Sequence, residues 1–368
     1  MSIQVLLDDN LTLVYAATQG STLPTPSTTI TNTTASSQLS SQSQYEWIYP
    51  NLNTSSSSNN VNSFITVAGD SNSVNNTSAY STINAGVNGM YFGAVPLQYF
   101  NNTDVTTKNI AAILNRANTY QVPKNGTLII ESVVNAKQFN VCMNPFPIEL
   151  VANPQADPRL VCPMLKNSFT TSGVNGKQVT VNTGFAITNE VIYAFYEILP
   201  ATTNNVSPNS LLGIGNNAAF TAMIPIAAVN ELADDYVTLG IGYNGAGPIT
   251  WFVNSVEKYI VPMVGFYPEP QYIIINYGGT PSGLPPAGLN VTVGLSINQY
   301  MDGCLPGFEA RPALIQLQTG VMYYSPYSSQ SVFAPQLFSK KQNDVDNVLW
   351  GQGGVINLRR QIIYTLNV

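Results

Sequence analysis

The chain has 368 residues and a formal net charge of −6, with 13 Lys and Arg, 19 Asp and Glu, and no His. Charged residues are 9% of the chain, against about 25% in ordinary soluble domains, while 41 Asn, 32 Thr, 30 Ser and 19 Gln supply its polarity. The lack of His excludes His-based triads, general bases and metal sites, and so few, scattered bases exclude a nucleic-acid surface.

The elements follow in chain order. Ile3–Leu7 and Leu11–Ala17 read as strands. Residues 21–63 approach low complexity, and from Asn10 to Thr103 the only charges are Glu46 and Asp70. Such a stretch is a long loop, a set of short surface strands or a flexible segment, with Tyr45, Trp47 and Tyr49 available to anchor it. Met90–Phe100 is a strand candidate. In Thr106–Tyr120, Ile110, Ile113 and Leu114 share one helical face, and Asp104 or Thr106 can cap it, so a helix is expected there. Further strands are expected at Thr127–Val134, Gln178–Asn182, Val191–Leu199, Ala219–Ala228, Tyr236–Tyr243, Ile260–Phe266, Gln271–Tyr277, Asn290–Ser296, Ala313–Tyr324 and Gly354–Leu366. Ala227–Asp235 is a weaker second helix.

Some fifteen to seventeen strands with one or two short helices imply an all-β chain, and two tandem jelly-roll-like sandwiches need about sixteen. The polar stretch Asn167–Lys177 is the expected junction, giving a β domain over 1–166, with its Ser/Thr/Asn-rich loop region at 21–85, and a β-sandwich over 178–368. The longest apolar runs have strand length, so no transmembrane segment is expected, and Met1–Gln4 does not read as a signal peptide.

Gly240-Ile241-Gly242-Tyr243-Asn244-Gly245 matches a dinucleotide fingerprint, and Gly213–Ala218 resembles its looser form. A pyrophosphate site needs a helix to open at that point. Asn244-Gly245 instead reads as a hairpin turn leading to another strand. Acid–base chemistry would have to come from carboxylates. Adjacent strand residues face opposite ways, so Asp8-Asp9 and Asp234-Asp235 make no dyad by themselves. Two of Glu131, Glu149, Glu190, Glu197, Glu257 and Glu269 could meet in a groove as a glycosidase pair. Asp344-Val345-Asp346-Asn347 opens like a calcium loop but lacks its later ligands. The expectation is therefore no catalytic residue, no cofactor and no metal site.

Cys142, Cys162 and Cys304 read first as three buried thiols acting as small hydrophobes; Cys142 and Cys162 are near enough in sequence that a disulfide between them is possible. Asn-x-Ser/Thr sequons stand at Asn10, Asn32, Asn53, Asn75, Asn76, Asn101, Asn125, Asn205 and Asn290, candidates for glycosylation. Met322–Tyr327 and Phe266-Tyr267-Pro268 read as core or as aromatic interface and glycan-binding patches.

The His-free, charge-poor composition, the Ser/Thr/Asn-rich N-terminal region and the β-rich remainder resemble capsid and turret proteins of icosahedral viruses of hyperthermophilic, acidophilic archaea. That resemblance is compositional and architectural, and it implies a structural virion protein (capsid, penton or turret component) at the virion surface. Its implied partners are other copies of the chain, other capsid proteins and a host receptor or glycan. A secreted acid hydrolase with paired carboxylates and a cell-surface carbohydrate-binding sandwich are the alternatives.

Overall fold

Runs of Val, Ile, Tyr and Phe bounded by Gly, Pro and Asn pair over long sequence separations into antiparallel sheets. The structure is a computed structural model that describes residues 2–10, 47–48, 66–67, 80–86, 89–95, 110–144, 146–173, 176, 178–199, 217–229, 235–301, 303–305, 313–314, 323–324, 331–332 and 352–367. In chain order its strands are β1 (Ser2–Asn10), β2 (Trp47–Ile48), β3 (Thr66–Val67), β4 (Tyr80–Gly86), β5 (Gly89–Val95), β6 (Ile110–Gln121), β7 (Gly126–Phe139), β8 (Val161–Ser172), β9 (Gln178–Ile187), β10 (Val191–Ile198), β11 (Ala219–Ala228), β12 (Val237–Asn244), β13 (Ile249–Val253), β14 (Val256–Val261), β15 (Ile273–Gly278), β16 (Asn290–Gln299), β17 (Tyr323–Tyr324), β18 (Ser331–Val332) and β19 (Gly353–Asn367).

Sheet A runs β14-β13-β12-β7-β19-β5-β4, and β1 also pairs with β19. Sheet B runs β15-β11-β10-β9-β8-β16-β6-β2, with β3 also on β6. A third sheet holds only β17 and β18. The all-β, jelly-roll-like sandwich class read from the sequence is the class observed. Segments 1–166 and 178–368 both contribute strands to sheet A and to sheet B, and within the expected junction Asn167–Lys177 the first six residues are the second half of β8.

Thr106–Tyr120, expected as a helix, is corrected by the structure: β6 occupies Ile110–Gln121. It pairs with β16 from Gln121↔Asn290 to Ile110↔Gln299. That long-range ladder overrides the local spacing of Ile110, Ile113 and Leu114, because strand preference depends on pairing and burial more than on local pattern. Ala227 and Ala228 end β11 rather than open a second helix. Leu11–Ala17 and most of Ala313–Tyr324 lie outside the described residues.

One continuous core fills the space between the sheets. Leu239, Ile241, Tyr243, Trp251, Leu358 and Ile363 come from sheet A; Val181, Phe185, Ala194, Tyr196, Phe220 and Leu295 come from sheet B. The large buried aromatics carry polar tips that must be paired. Trp251 Nε1 donates to the Gly184 carbonyl (2.7 Å), the Tyr243 hydroxyl bonds Thr183 Oγ1 (2.6 Å), and Tyr196 OH accepts from the Gly265 amide (2.9 Å). Burial pushes the Tyr196 and Tyr243 phenols upward, so both stay neutral. Buried Arg116 of sheet B donates across to Gln361 Oε1 of sheet A, and Gln361 Nε2 donates to its β7 register partner Ser132 Oγ (3.0 Å) within sheet A.

Candidate functional site

Side chains alternate along each strand, so sheet B has a face toward the main core and an outer face. On β10, Ile192, Ala194, Tyr196 and Ile198 enter the main core, while Tyr193 and Phe195 belong to a second, smaller cluster. That cluster also contains Cys162, Met164, Ala186, Met223, Ile274, Ile275 and Tyr300. The outer face of sheet B is therefore itself largely buried, so β9 and β10 are covered on both faces along most of their length, and β10 reads as a nearly continuous apolar run.

One register row across that face is polar. Ser168 pairs with Asn182, Asn182 with Glu197, and Glu197 with Thr221. Glu197 is fully buried. Its carboxylate accepts from Asn182 Nδ2 (2.7 Å) and Thr221 Oγ1 (2.9 Å), with Lys166 Nζ at 4.0 Å. The Lys166 ammonium also lies 5.8 Å from the Phe195 ring centre. Every oxygen of this carboxylate is thus occupied by a donor from the neighbouring strands.

Two and four residues back along β10, the same face turns apolar and opens into a cavity of about 400 Å³. Its floor is Tyr193, Met223, Pro225 and Ile274; Tyr272 and Gln271 stand on one side and the 152–158 loop on the other. Pro225 pairs opposite Tyr193 beside a bulge and beyond the last β11–β15 pair, Ala222↔Ile273. A bulge is where a strand tolerates proline. The loop is held by its own bonds: Asn153 Oδ1 accepts the Gln155 amide (3.1 Å), and Asn153 Nδ2 donates to Glu190 (2.7 Å). Tyr193 OH donates to the Ala156 carbonyl (2.8 Å). Burial pushes this phenol upward, with Asp157 adding to the effect, so it remains a neutral donor. Asp157 lines the cavity, but the buried Arg159 guanidinium grips it through Nε (3.0 Å) and Nη2 (2.7 Å). Gln271 leaves an exposed amide at the rim. The site thus presents aromatic and aliphatic walls, a few neutral polar groups and no uncompensated charge.

The other expected carboxylates are dispersed. Glu131 approaches Tyr364 OH (3.4 Å) on sheet A, Glu190 holds Asn153, and Glu269 accepts from Tyr259 (2.8 Å). Glu149 and Glu257 are exposed. Asp8 pairs with Arg360 (2.8 Å). Asp344 to Asn347 lie outside the described residues, among which no group of three or more His, Cys, Asp or Glu could hold a metal ion.

The fingerprint glycines lie within a strand. A Cβ on Gly240 or Gly242 of β12 would make ordinary van der Waals contact with the Phe252 side chain, 3.4–3.7 Å away, so both pack beside that ring on sheet A and open no phosphate-binding turn. Asn244 and Gly245 form the turn to β13. Gly213–Gly215 lie outside the described residues.

The possible Cys142–Cys162 disulfide is not formed; the cysteines are free thiols, though Cys142 is not buried. Cys142 is exposed in a 3-10 turn and accepts from Gln155 Nε2 (2.9 Å), whereas Cys162 is buried with its thiol on the Ile187 carbonyl (3.4 Å). Cys304 is also a buried free thiol. Among the sequons, Asn125 is exposed in the turn after β6 and Asn290 is exposed at the start of β16. Asn10 lies in β1, and Asn32, Asn53, Asn75, Asn76, Asn101 and Asn205 fall outside the described residues. Phe266 is exposed, whereas Tyr267 packs on Phe220, with ring centres 5.1 Å apart.

Sheet pairing, the shared core and the cavity on the outer face of one sheet define an all-β sandwich protein. The chain belongs to a family of unknown function (DUF6081), whose model matches residues 97–365. It is 24% identical to "Uncharacterized protein L829" of Acanthamoeba polyphaga mimivirus, over 49% of this chain and 59% of that protein. The chain thus spans 59% of that relative's length. The structure is similar to β-agarase A from Zobellia galactanivorans (TM-score 0.36, 9% identity, 100% of this chain and 94% of that one). It is also similar to alginate lyase PA1167 from Pseudomonas aeruginosa (TM-score 0.34, 9% identity, 76% and 84%). At these scores neither likeness bears on activity. No helix among the described residues is long and apolar enough to cross a membrane.

Proposed function

We propose that the protein is a non-enzymatic structural component of a virion surface that recognises neutral carbohydrate in the Tyr193–Tyr272 cavity. The observation that carries the recognition is the cavity's chemistry. Aromatic faces suit the apolar face of a sugar ring, and amides at the rim suit its hydroxyls. The one carboxylate in the lining, Asp157, is neutralised by Arg159. A charged ligand would find no counter-charge there.

The viral part of the reading is supported by the mimivirus relative and by a surface chemistry of amides and hydroxyls rather than charge. A non-catalytic role is supported by the dispersal of the carboxylates, since glycosidase chemistry needs two of them flanking one bond. The test is saturation-transfer NMR with neutral hexose and N-acetylhexosamine oligosaccharides, on the intact chain and on Tyr272→Ala. Binding that disappears in the variant is expected; no binding at millimolar sugar refutes the recognition reading. Mass spectrometry of particles purified from producing cells tests the virion reading, which fails if the chain is missing from them.

A further inference from the structure

The Tyr193–Tyr272 cavity changes character with depth. At its inner end Met223 and Ile274 are each 1% exposed, and Pro158 is buried beside them. None of these three side chains carries an N–H or O–H group. At the rim Asn153 and Gln271 are exposed. Asn153 gives one Nδ2 proton to Glu190 and accepts the Gln155 amide on Oδ1, which leaves it a second N–H. Half-buried Tyr193 stands between the two levels. Its hydroxyl proton goes to the Ala156 carbonyl, so toward a ligand its oxygen can only accept.

That gradient selects among neutral sugars. A plain hexose carries a hydroxyl on almost every ring carbon. Turned inward, one of these would be buried against Met223 and Ile274 without a partner, which is costly. An acetamido group ends in a methyl instead, with its N–H and carbonyl one atom further back. A deoxyhexose also brings a methyl, but no N–H for the Tyr193 oxygen.

We propose that the cavity takes the acetamido group of a neutral N-acetylhexosamine, methyl innermost. The methyl rests on Met223 and Ile274, the acetamido N–H donates to the Tyr193 oxygen, and its carbonyl accepts from the Asn153 or Gln271 amide. The sugar ring then lies at the rim against Tyr272. A volume of about 400 Å³ is at the small end of ligand pockets, about 300–1,000 Å³, which suits one such residue rather than a long stretch of chain. This names the class within the neutral carbohydrate read for the cavity, and it falls if that reading falls.

The test is titration calorimetry of the intact chain with four free sugars: glucose, fucose, N-formylglucosamine and N-acetylglucosamine. The last two differ only by the buried methyl. One such carbon in an apolar site changes affinity by about 10–200-fold, so N-acetylglucosamine should bind at least about tenfold more tightly than N-formylglucosamine. It should also bind more tightly than glucose or fucose. A second readout places the methyl. With the eight methionine methyls carrying a carbon-13 label, the acetyl methyl should show a nuclear Overhauser contact to one of them. That signal should be the one lost in Met223→Leu while the others stay in place. If none of the four sugars binds at millimolar concentration, the carbohydrate reading fails and the acetamido assignment with it. If sugars bind but N-acetylglucosamine is no tighter than N-formylglucosamine, the carbohydrate reading stands and the assignment is overturned. Fucose as tight as N-acetylglucosamine overturns the role of the amide. An Overhauser contact to another methionine, or to none, overturns the placement of the methyl.

Discussion

Replacing Glu197 tests the assignment of this fully buried glutamate to structure rather than chemistry. Glu197→Ala removes the acceptor for Asn182 Nδ2 and Thr221 Oγ1 and leaves Lys166, 14% exposed, without its carboxylate. Hydrogen bonds to a charged group contribute about 1.5–3 kcal/mol each, and removing one partner of a buried pair costs about 3–5 kcal/mol. The desolvation already paid by the carboxylate offsets part of the bond energy, so we expect a loss of about 3–5 kcal/mol. For a domain this large, 1 kcal/mol corresponds to about 2 °C in Tm, giving a drop of about 6–10 °C. Glu197→Gln keeps one acceptor oxygen but sets an NH2 group against a donor, and should lose about 1–2 kcal/mol. Differential scanning calorimetry, with sugar binding measured on each variant, is the assay. Glu197→Ala within about 1 °C of the natural chain would refute the view that this carboxylate organises the polar row.

Three further outcomes follow from the same packing. Gly184 has φ +144°, and a Cβ there would lie 1.8 Å from the Leu165 carbonyl oxygen; Gly184→Ala should cost more than about 2 kcal/mol in denaturant titration, against about 1 kcal/mol for a typical substitution. Cys142 is the exposed thiol, so native protein should take up one equivalent of a thiol reagent quickly and the remaining two only on unfolding. The hydrogen bond from Arg360 holds the Asp8 carboxyl below its ordinary value, with slight burial opposing it. Its contribution is therefore complete above the unfolded carboxylate's pKa and is lost as pH falls through the lower folded value. For a pair this exposed it amounts to about 0.2–1 kcal/mol, so Asp8→Asn should narrow the stability difference between pH 6 and pH 2 by no more than that.

Strands whose apolar alternation is bounded by turn residues were legible from sequence. Ala219–Ala228 is found with the expected bounds, Val191–Leu199 differs by one residue at one end, and Gly354–Leu366 by one residue at each end. Ile260–Phe266 was placed late, because the turn at Asn254-Ser255, where both residues have positive φ, starts β14 at Val256. β8 was missed because its second half is polar, and Asn167 to Ser172 resemble a linker when read without their partners on β9 and β16. The site was less legible. Tyr193, Met223 and Tyr272 are ordinary strand and core residue types, and nothing local marks them as one wall. The β10–β11 and β11–β15 pairings and the 152–158 loop bring them together. Glu197 was visible as a strand glutamate, but its partners, Asn182 and Thr221, lie on two other strands.

The position of β19 has a consequence for synthesis. It inserts between β7 on one side and β1 and β5 on the other, so sheet A is incomplete until residues 353–367 leave the ribosome. Translation from the end of β7 to the start of β19 takes roughly 10–40 s at about 5–20 residues per second. Throughout that interval the strands before β7 have no bridge to it within sheet A. The nascent chain must keep those apolar edges from pairing elsewhere until β19 has been made and can bridge them.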